Sequence, residues 1–129
     1  MYTILVADDE KRIRNVYKGV LKQRGYKVVD VPNIIDARKY IKAVKVDLVL
    51  LDINMGELSG DILYEVSKCF HQNIKIIVSS VYSVEDQKRL MPHADDYFDK
   101  SEGNKVLLEK ISGVLLNSSK CKDIKEARL

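Results

Sequence analysis

Short apolar runs alternate with longer amphipathic stretches along this chain. The runs at 3–7, 28–31, 48–51, 74–78 and 97–98 predict five β-strands. Between them, apolar residues recur three and four positions apart, as they do on one side of a helix. The alternation is typical of βα units. We therefore expect an α/β fold: a flavodoxin-like (βα)5 doubly wound parallel sheet with strand order 2-1-3-4-5.

The amphipathic stretches predict five helices, numbered 1 to 5 along the chain. Gly25 ends helix 1, Asn33 caps helix 2, Ser83 caps helix 4, and Pro92 follows its end. Helix 3 is expected over about 61–70. The expected buried residues of helix 1 are Ile13, Val16, Tyr17, Val20 and Leu21. Those of helix 2 are Ile34, Ala37, Ile41 and Val44. Those of helix 5 are Val106, Leu107, Ile111, Val114 and Leu115.

The length of 129 residues fits one domain that buries its own core. We expect that domain over 1–116, followed by a polar tail at 117–129 that either extends the last helix or is a linker. The apolar runs are far shorter than the roughly 20 residues that span a bilayer. No signal peptide is visible, so a cytoplasmic location without membrane contact is expected. The net charge is +3, but lysines are spread over every helix, so no direct nucleic-acid binding is expected.

Carboxylates follow two of the predicted buried strands. Strand 1 leads into Asp8 and Asp9, and strand 3 ends at Asp52. The carboxyl ends of strands 1 and 3 meet at the switch point of a 2-1-3-4-5 sheet, where ligands bind. Carboxylates held this close repel one another unless a cation lies between them. The sequence therefore predicts a divalent-metal site.

A hydroxyl and an ammonium are expected at the same edge of the sheet. Ser79 follows strand 4, and Lys100 follows strand 5. Oxygen ligands suit Mg²⁺, which neutralises phosphoryl oxygens so that a carboxylate can approach them. Lysine and serine would supply a second charge and a hydrogen bond. Each of these groups has a task if the site handles a phosphoryl group, and Asp52 is the residue expected to carry the chemistry.

Taken together and in order, these motifs resemble the receiver domain of two-component response regulators, over about 3–116. The acidic pair Asp8-Asp9 comes first, and Asp52-Ile53-Asn54-Met55 and Gly60 follow. Ser79 and then Asp96-Tyr97-Phe98-Asp99-Lys100 complete the match. The resemblance implies a signalling module that is switched by phosphorylation and turns over no substrate of its own.

The resemblance also implies a role for each residue of the site. Asp52 is the phosphoacceptor, which receives its phosphoryl group from a histidine kinase, a phosphotransfer protein or a small donor such as acetyl phosphate. Mg²⁺, or Mn²⁺ in its place, is held by Asp9, Asp52 and the backbone carbonyl of Asn54, with Asp8 acting through a water. Lys100 contacts the phosphoryl group.

Ser79 and Tyr97 take the positions of the family's switch residues. Ser79 contacts the phosphoryl group and moves toward it, and Tyr97 rotates into the space that Ser79 vacates. The expected result is a reshaped face of helix 4, strand 5 and helix 5, which a downstream effector protein or domain recognises.

Three residues depart from the family's pattern. Gly56 and Ser101 stand where prolines are usual, so the loop after Asp52 is less constrained and the bond after Lys100 is expected to be trans. Val81 cannot orient a hydrolytic water, which predicts slow self-dephosphorylation.

Two alternatives remain open. One is a pseudo-receiver, which keeps the fold as an interaction module without control by phosphorylation. The other is a phosphatase of the haloacid-dehalogenase type, which needs a carboxylate two residues after the nucleophile, where this chain has Asn54.

Overall fold

Five parallel strands form a single sheet at the centre of the fold. A computed structural model describes residues 1–53 and 73–127, and their side chains as far as residue 116. The strands are β1 (Thr3–Ala7), β2 (Lys27–Val31), β3 (Leu48–Asp52), β4 (Lys75–Ser80) and β5 (Asp96–Asp99). Their order is β2-β1-β3-β4-β5, and every neighbouring pair is parallel. The predicted fold class and strand order are confirmed.

Four α-helices lie in the described part of the chain. They are α1 (Lys11–Gln23), α2 (Ile34–Ala43), α3 (Val84–Leu90) and α4 (Asn104–Ala127). The last two correspond to predicted helices 4 and 5, whereas predicted helix 3 lies outside the described residues. A short 3₁₀ helix, Lys100–Glu102, joins β5 to α4. The backbone of α4 continues through the polar segment from Asn117 as far as Ala127. No helix among the described residues is long and apolar enough to span a membrane.

Alternating side chains of the strands build two hydrophobic cores, one on each side of the sheet. On one side, Leu50 and Phe98 belong to a core with Leu21 of α1 and Ile111 of α4. On the other, a core forms with Ile34, Ala37 and Ile41 of α2 and with Met91 after α3. Because both faces are covered, β3 is buried over its whole length.

Local signals in the sequence set the helix ends. The Asn33 side chain accepts a hydrogen bond from the Asp36 N–H at 2.8 Å, and Ser83 Oγ accepts one from the Asp86 N–H at 3.3 Å. Such caps satisfy N–H groups that a helix leaves unpaired in its first turn. Gly25, with φ of 87°, has a backbone conformation that favours glycine. The two predicted caps and the glycine stop are confirmed.

Some predicted boundaries and buried positions are wrong. β4 begins at Lys75, one residue later than predicted. It ends at Ser80, two residues later than predicted, because Ser79 and Ser80 still pair with β5. β5 has four residues rather than two. Val16 is 45% exposed, since the covered stripe of α1 is narrower than its apolar pattern, and Val44 is 37% exposed because α2 ends at Ala43 and Val44 follows it in extended conformation. Val106 and Val114 are only partly buried at the edge of the core.

Candidate functional site

The ends of four strands bring the predicted site residues to one edge and one face of the sheet. Side chains alternate along a strand, so Asp52 points to the same side as Leu50, and Ser79 to the same side as Ile77. Leu50 and Ile77 both belong to the core beneath α1 and α4. Asp52 pairs directly with Ser79 in the β3–β4 register. The site therefore opens on the side of the sheet that carries α1.

Lys100 links the two buried carboxylates of the site. Its Nζ donates to Asp8 Oδ2 at 2.8 Å and to Asp52 Oδ2 at 3.3 Å. Only 10% of the Lys100 side chain is exposed, against 3% for Asp8 and 4% for Asp52. Burial lowers the pKa of Lys100, but the hydrogen bond to Asp8 and the charge of Asp52 outweigh it and leave that pKa above its ordinary value. The lysine is therefore an ammonium ion at neutral pH.

The backbone around Lys100 holds this placement without proline. No cis peptide bond occurs among the described residues, so the Lys100–Ser101 bond is trans, as expected. Asp99 caps the following 3₁₀ helix: its Oδ1 accepts from the Ser101 N–H at 2.9 Å, and Glu102 Oε1 accepts from the Asp99 N–H at 2.9 Å. This capping box fixes the turn from which Lys100 reaches the carboxylates.

The three predicted carboxylates form one cluster. Asp8, Asp9 and Asp52 each offer an oxygen, and these atoms lie within 4.8 Å of one another. Asp8 already accepts from the Glu10 N–H at 2.9 Å and from Lys100, whereas Asp9 is exposed. An all-oxygen donor set suits a hard divalent cation such as Mg²⁺ or Mn²⁺. The residues fit the expected ion. The predicted carbonyl ligand, Asn54, lies outside the described residues.

Ser79 is buried with its hydroxyl unsatisfied. The side chain is 1% exposed, and its Oγ has no hydrogen-bond partner within the described part of the chain. A buried hydroxyl without a partner is unfavourable by about 1–3 kcal/mol. It lies next to Asp52 in the β3–β4 register, so a group added to Asp52 would offer a hydrogen-bond acceptor within its reach.

Tyr17 of α1 also belongs to the site, and its sequence pattern indicated only a core position. The residue is 5% exposed. Burial raises the pKa of its phenol above 10.0; the Ser79 hydroxyl and the Lys100 ammonium lower it, and Asp8 and Asp52 raise it. All four of these neighbours are residues of the predicted site. The sequence offered one signal for a place near the site: Tyr17 lies on the apolar stripe of the helix that follows the acidic pair.

Tyr97, the predicted switch residue, lies on the opposite side of the sheet from Ser79. It is 6% exposed and belongs to the core beneath α2 and α3. Its hydroxyl donates to the Met91 carbonyl at 2.6 Å, and Lys88 Nζ lies 5.9 Å from the ring centre. The ring of this β5 residue therefore packs against α3 and the segment that follows it. Its predicted rotation stays a prediction.

Gln87 of α3 is another buried polar residue that the sequence analysis did not single out. It is fully buried, and its Nε2 donates to the Tyr82 and Phe98 carbonyls, both at 2.8 Å. The residue ties the loop after β4 and helix α3 to β5. Because it lies in a helix of otherwise mostly charged residues, nothing in the sequence distinguished it from a surface glutamine.

A 2-1-3-4-5 parallel sheet with an acidic cluster, a serine and a lysine at the switch point defines the receiver class of signalling domain. The chain belongs to the response regulator receiver domain family, whose model matches residues 4–112. The predicted family is therefore confirmed.

Several relatives and solved structures resemble the chain. It is 30% identical over 116 residues to the uncharacterized transcriptional regulatory protein YvcP of Bacillus subtilis, covering 89% of this chain and 49% of YvcP. A CheY-like receiver domain from Methanospirillum hungatei matches with TM-score 0.85 and 26% identity, over 93% of this chain and 98% of that one. The response regulator TrrA of Thermotoga maritima, in complex with Mg(2+)-BeF, matches with TM-score 0.80 and 34% identity, over 89% and 100%. The chain spans half or less of the length of the first curated relatives that it matches.

Proposed function

We propose that this receiver domain is controlled by phosphorylation of Asp52. The phosphoryl group would come from a phosphohistidine of a histidine kinase or phosphotransfer protein, or from acetyl phosphate. The observation that carries the proposal is the position of the Asp52 carboxylate: it is 4% exposed, lies 3.3 Å from the Lys100 ammonium and shares a cluster with Asp8 and Asp9. A buried carboxylate with this surrounding charge is suited to accept a phosphoryl group.

The chemistry is a single transfer. An Asp52 carboxylate oxygen forms a bond to phosphorus as the phosphorus–nitrogen bond of phosphohistidine, or the bond to the acetate oxygen of acetyl phosphate, breaks. Lys100 then faces both the phosphoryl oxygens and Asp8. Asp9, Asp52 and the Asn54 carbonyl would hold Mg²⁺, with Asp8 acting through a water. The ion neutralises the phosphoryl charge.

The signal would leave through the face formed by α3, β5 and α4. Ser79 lies next to the phosphoacceptor, and Ser79 itself pairs with Phe98 of β5. A pull on Ser79 would be transmitted to β5, where the Tyr97 hydroxyl would exchange its bond to Met91 for another position. Such a coupling is typically about 1–3 kcal/mol and acts by shifting an existing equilibrium. The partner would be an effector protein or an effector domain.

We further propose that the chain is not an enzyme and catalyses only its own phosphorylation and dephosphorylation. The trans Lys100–Ser101 bond still brings the lysine to both carboxylates. Serine at position 101, where proline is usual in the family, therefore does not keep the lysine from the site, which weighs against the pseudo-receiver alternative. No described feature favours the phosphatase.

The test is incubation with acetyl phosphate and Mg²⁺, followed by intact mass spectrometry. We expect one phosphoryl group on the wild-type chain and none on Asp52→Asn. Asp47→Asn is the matched control, since Asp47 lies just before the other end of the same strand. It should be phosphorylated like the wild type.

Two results would contradict the proposal. A wild-type chain that gains no phosphoryl group would indicate a pseudo-receiver. Continuous release of phosphate without accumulation of the modified chain, abolished in Asp52→Asn, would indicate a phosphatase.

A further inference from the structure

Tyr17 places a buried hydroxyl group among the site residues. The residue lies on α1, on the side of the helix that packs against the sheet, and it shares a core cluster with Ile77 and Phe98. Ile77 is two positions before Ser79 on β4, so the two side chains point to the same side of the sheet. The phenol ring and the Ser79 hydroxyl therefore approach the same region from helix and strand.

The two hydroxyls are neighbours without a fully formed hydrogen bond. Ser79 Oγ has no partner of standard hydrogen-bond geometry within the described residues. Nevertheless, the Ser79 hydroxyl is close enough to the phenol to lower the pKa of Tyr17, as is the Lys100 ammonium. A buried phenol normally finds a hydrogen-bond partner. A small movement of either side chain would supply one for both groups.

The direction of that bond follows from the donors available. Phosphoryl oxygens on Asp52 carry no proton, so Ser79 must donate its only proton to reach them. The Ser79 oxygen then keeps lone pairs that can accept. Tyr17 O–H is a donor on the same side of the sheet, and a chain of hydrogen bonds polarises and strengthens its members.

We propose that Tyr17 is a positioning residue, whose hydroxyl donates to Ser79 Oγ and thereby directs the Ser79 O–H toward a phosphoryl group on Asp52. This inference rests on the proposed function. It assigns to α1 a direct part in stabilising the phosphorylated state, and it makes Tyr17→Phe a change in signalling rather than in packing alone.

The experiment measures the affinity of the folded chain for beryllofluoride, a phosphoryl mimic, at fixed Mg²⁺ by ¹⁹F NMR. The variants are Tyr17→Phe, Ser79→Ala and the double variant. Tyr26→Phe is the matched control, because Tyr26 packs on the same core at the opposite end of the sheet. We expect Tyr17→Phe to bind about three- to tenfold more weakly than the wild type, the typical effect of one neutral hydrogen bond. Tyr26→Phe should bind as the wild type does.

The double variant separates positioning from packing. If Tyr17 acts through Ser79, the Tyr17→Phe change alters the affinity by less than about twofold once Ser79 is alanine. An equal loss in both backgrounds would show that Tyr17 acts through packing and would overturn the inference. So would wild-type or tighter binding by Tyr17→Phe. A wild-type chain that binds no beryllofluoride would instead overturn the proposed function, and this inference with it.

Discussion

Asp52 and Asp8 bring two negative charges to positions with almost no solvent exposure. Their carboxylates are 4% and 3% exposed, and the Lys100 ammonium bonds to both. Isolated buried charges are strongly unfavourable, whereas a hydrogen-bonded cation offsets much of that free energy. One positive charge between two buried carboxylates, with Asp9 beside them, leaves the site with net negative charge. That excess is what would attract a divalent cation.

Replacing Lys100 by methionine tests how much its charge stabilises the two buried carboxylates. Lys100→Met leaves both carboxylates without their shared cation, so we expect the free energy of unfolding in EDTA to fall by about 3 kcal/mol. Mg²⁺ should recover more stability in this variant than it adds to the wild type, because the ion takes over the charge compensation. Urea unfolding with and without Mg²⁺ measures both effects.

The difference in the free energy of unfolding between wild type and Lys100→Met depends on pH through the raised pKa of Lys100. Folding favours the ammonium form, so this stabilisation is fully present below the ordinary value of 10.5 and is lost only as pH rises through the higher folded value. The gap between wild type and Lys100→Met should be constant between about pH 6 and 9. Lys45→Met, at an exposed position, is the control, and a loss no larger than this control shows would contradict the charge balance.

Residue identity and spacing were enough to predict Asp52, Asp8, Asp9, Ser79 and Lys100 at one edge of the sheet, because each comes directly after a run of apolar residues or after a predicted strand. The same information placed Tyr17 on a buried helix face but could not show what its hydroxyl approaches. That depends on how α1 is rotated and docked on the sheet. Long-range packing sets that angle, and helical periodicity does not report it.

At the scale of the elements, apolar runs predicted all five strands, and side-chain caps predicted where helices begin. The clearest error lies at the end of β4, where Ser79 and Ser80 remain in the strand. Polar residues usually indicate the end of a buried strand. Here the register continues because Ser79 pairs with Asp52 and with Phe98, so these two residues of the candidate site, Asp52 and Ser79, lie inside the sheet.

Gln87 should be important for the attachment of α3 to β5. Gln87→Ala removes two hydrogen bonds and leaves the Tyr82 and Phe98 carbonyls without this donor. We expect the free energy of unfolding to fall by about 2–4 kcal/mol, as measured by urea unfolding. Gln23→Ala makes the same change at an exposed position at the end of α1 and should cost under about 0.5 kcal/mol. Equal effects at the two positions would show that Gln87 is not a structural tie.

The ion pairs of Asp30 between α1 and β2 should stabilise the fold in a way that depends on pH in the acid range. Arg14 Nε and Lys18 Nζ lie 3.0 and 3.2 Å from its carboxylate oxygens. Burial raises the pKa of Asp30, but these two partners outweigh it and leave the pKa below its ordinary value of 3.8. The resulting stabilisation is present above that value and is lost as pH falls through the lower folded pKa.

Asp30→Asn should therefore lower the free energy of unfolding by about 1 kcal/mol or less at pH 7, since the ion pair is partly exposed. The difference from the wild type should shrink only below about pH 3.8. Urea unfolding at a series of pH values measures it. A difference that is the same at pH 7 and at acid pH would assign the effect of the substitution to packing.

At the scale of the whole molecule, two cores hold the strand ends in place from opposite sides of the sheet. The core beneath α1 and α4 supports the side that carries Asp52, and the core beneath α2 and α3 holds Tyr97. Asp52 on β3, the proposed phosphoacceptor, and Tyr97 on β5, the proposed readout, thus lie on different faces of one sheet, with β4 between their strands. In the proposed function, a signal would pass from Asp52 to Tyr97 by moving these strands or their side chains.

The fold class could be predicted because alternating apolar runs and amphipathic helices admit few arrangements. What could not be predicted is the output. The chain spans half or less of the length of its first curated relatives. The proposed output is a surface whose shape would depend on the phosphorylation state, and the core of the domain does not encode the chemistry of the partner.

The most direct test of the central claim is to locate the phosphoryl group. An aspartyl phosphate is an acyl phosphate, which borohydride reduces so that the residue becomes homoserine. After treatment with acetyl phosphate and Mg²⁺, peptide sequencing by mass spectrometry should find homoserine at position 52 and at no other aspartate. No homoserine at position 52, or homoserine at Asp8 or Asp9 instead, would contradict the assignment of Asp52 as the phosphoacceptor.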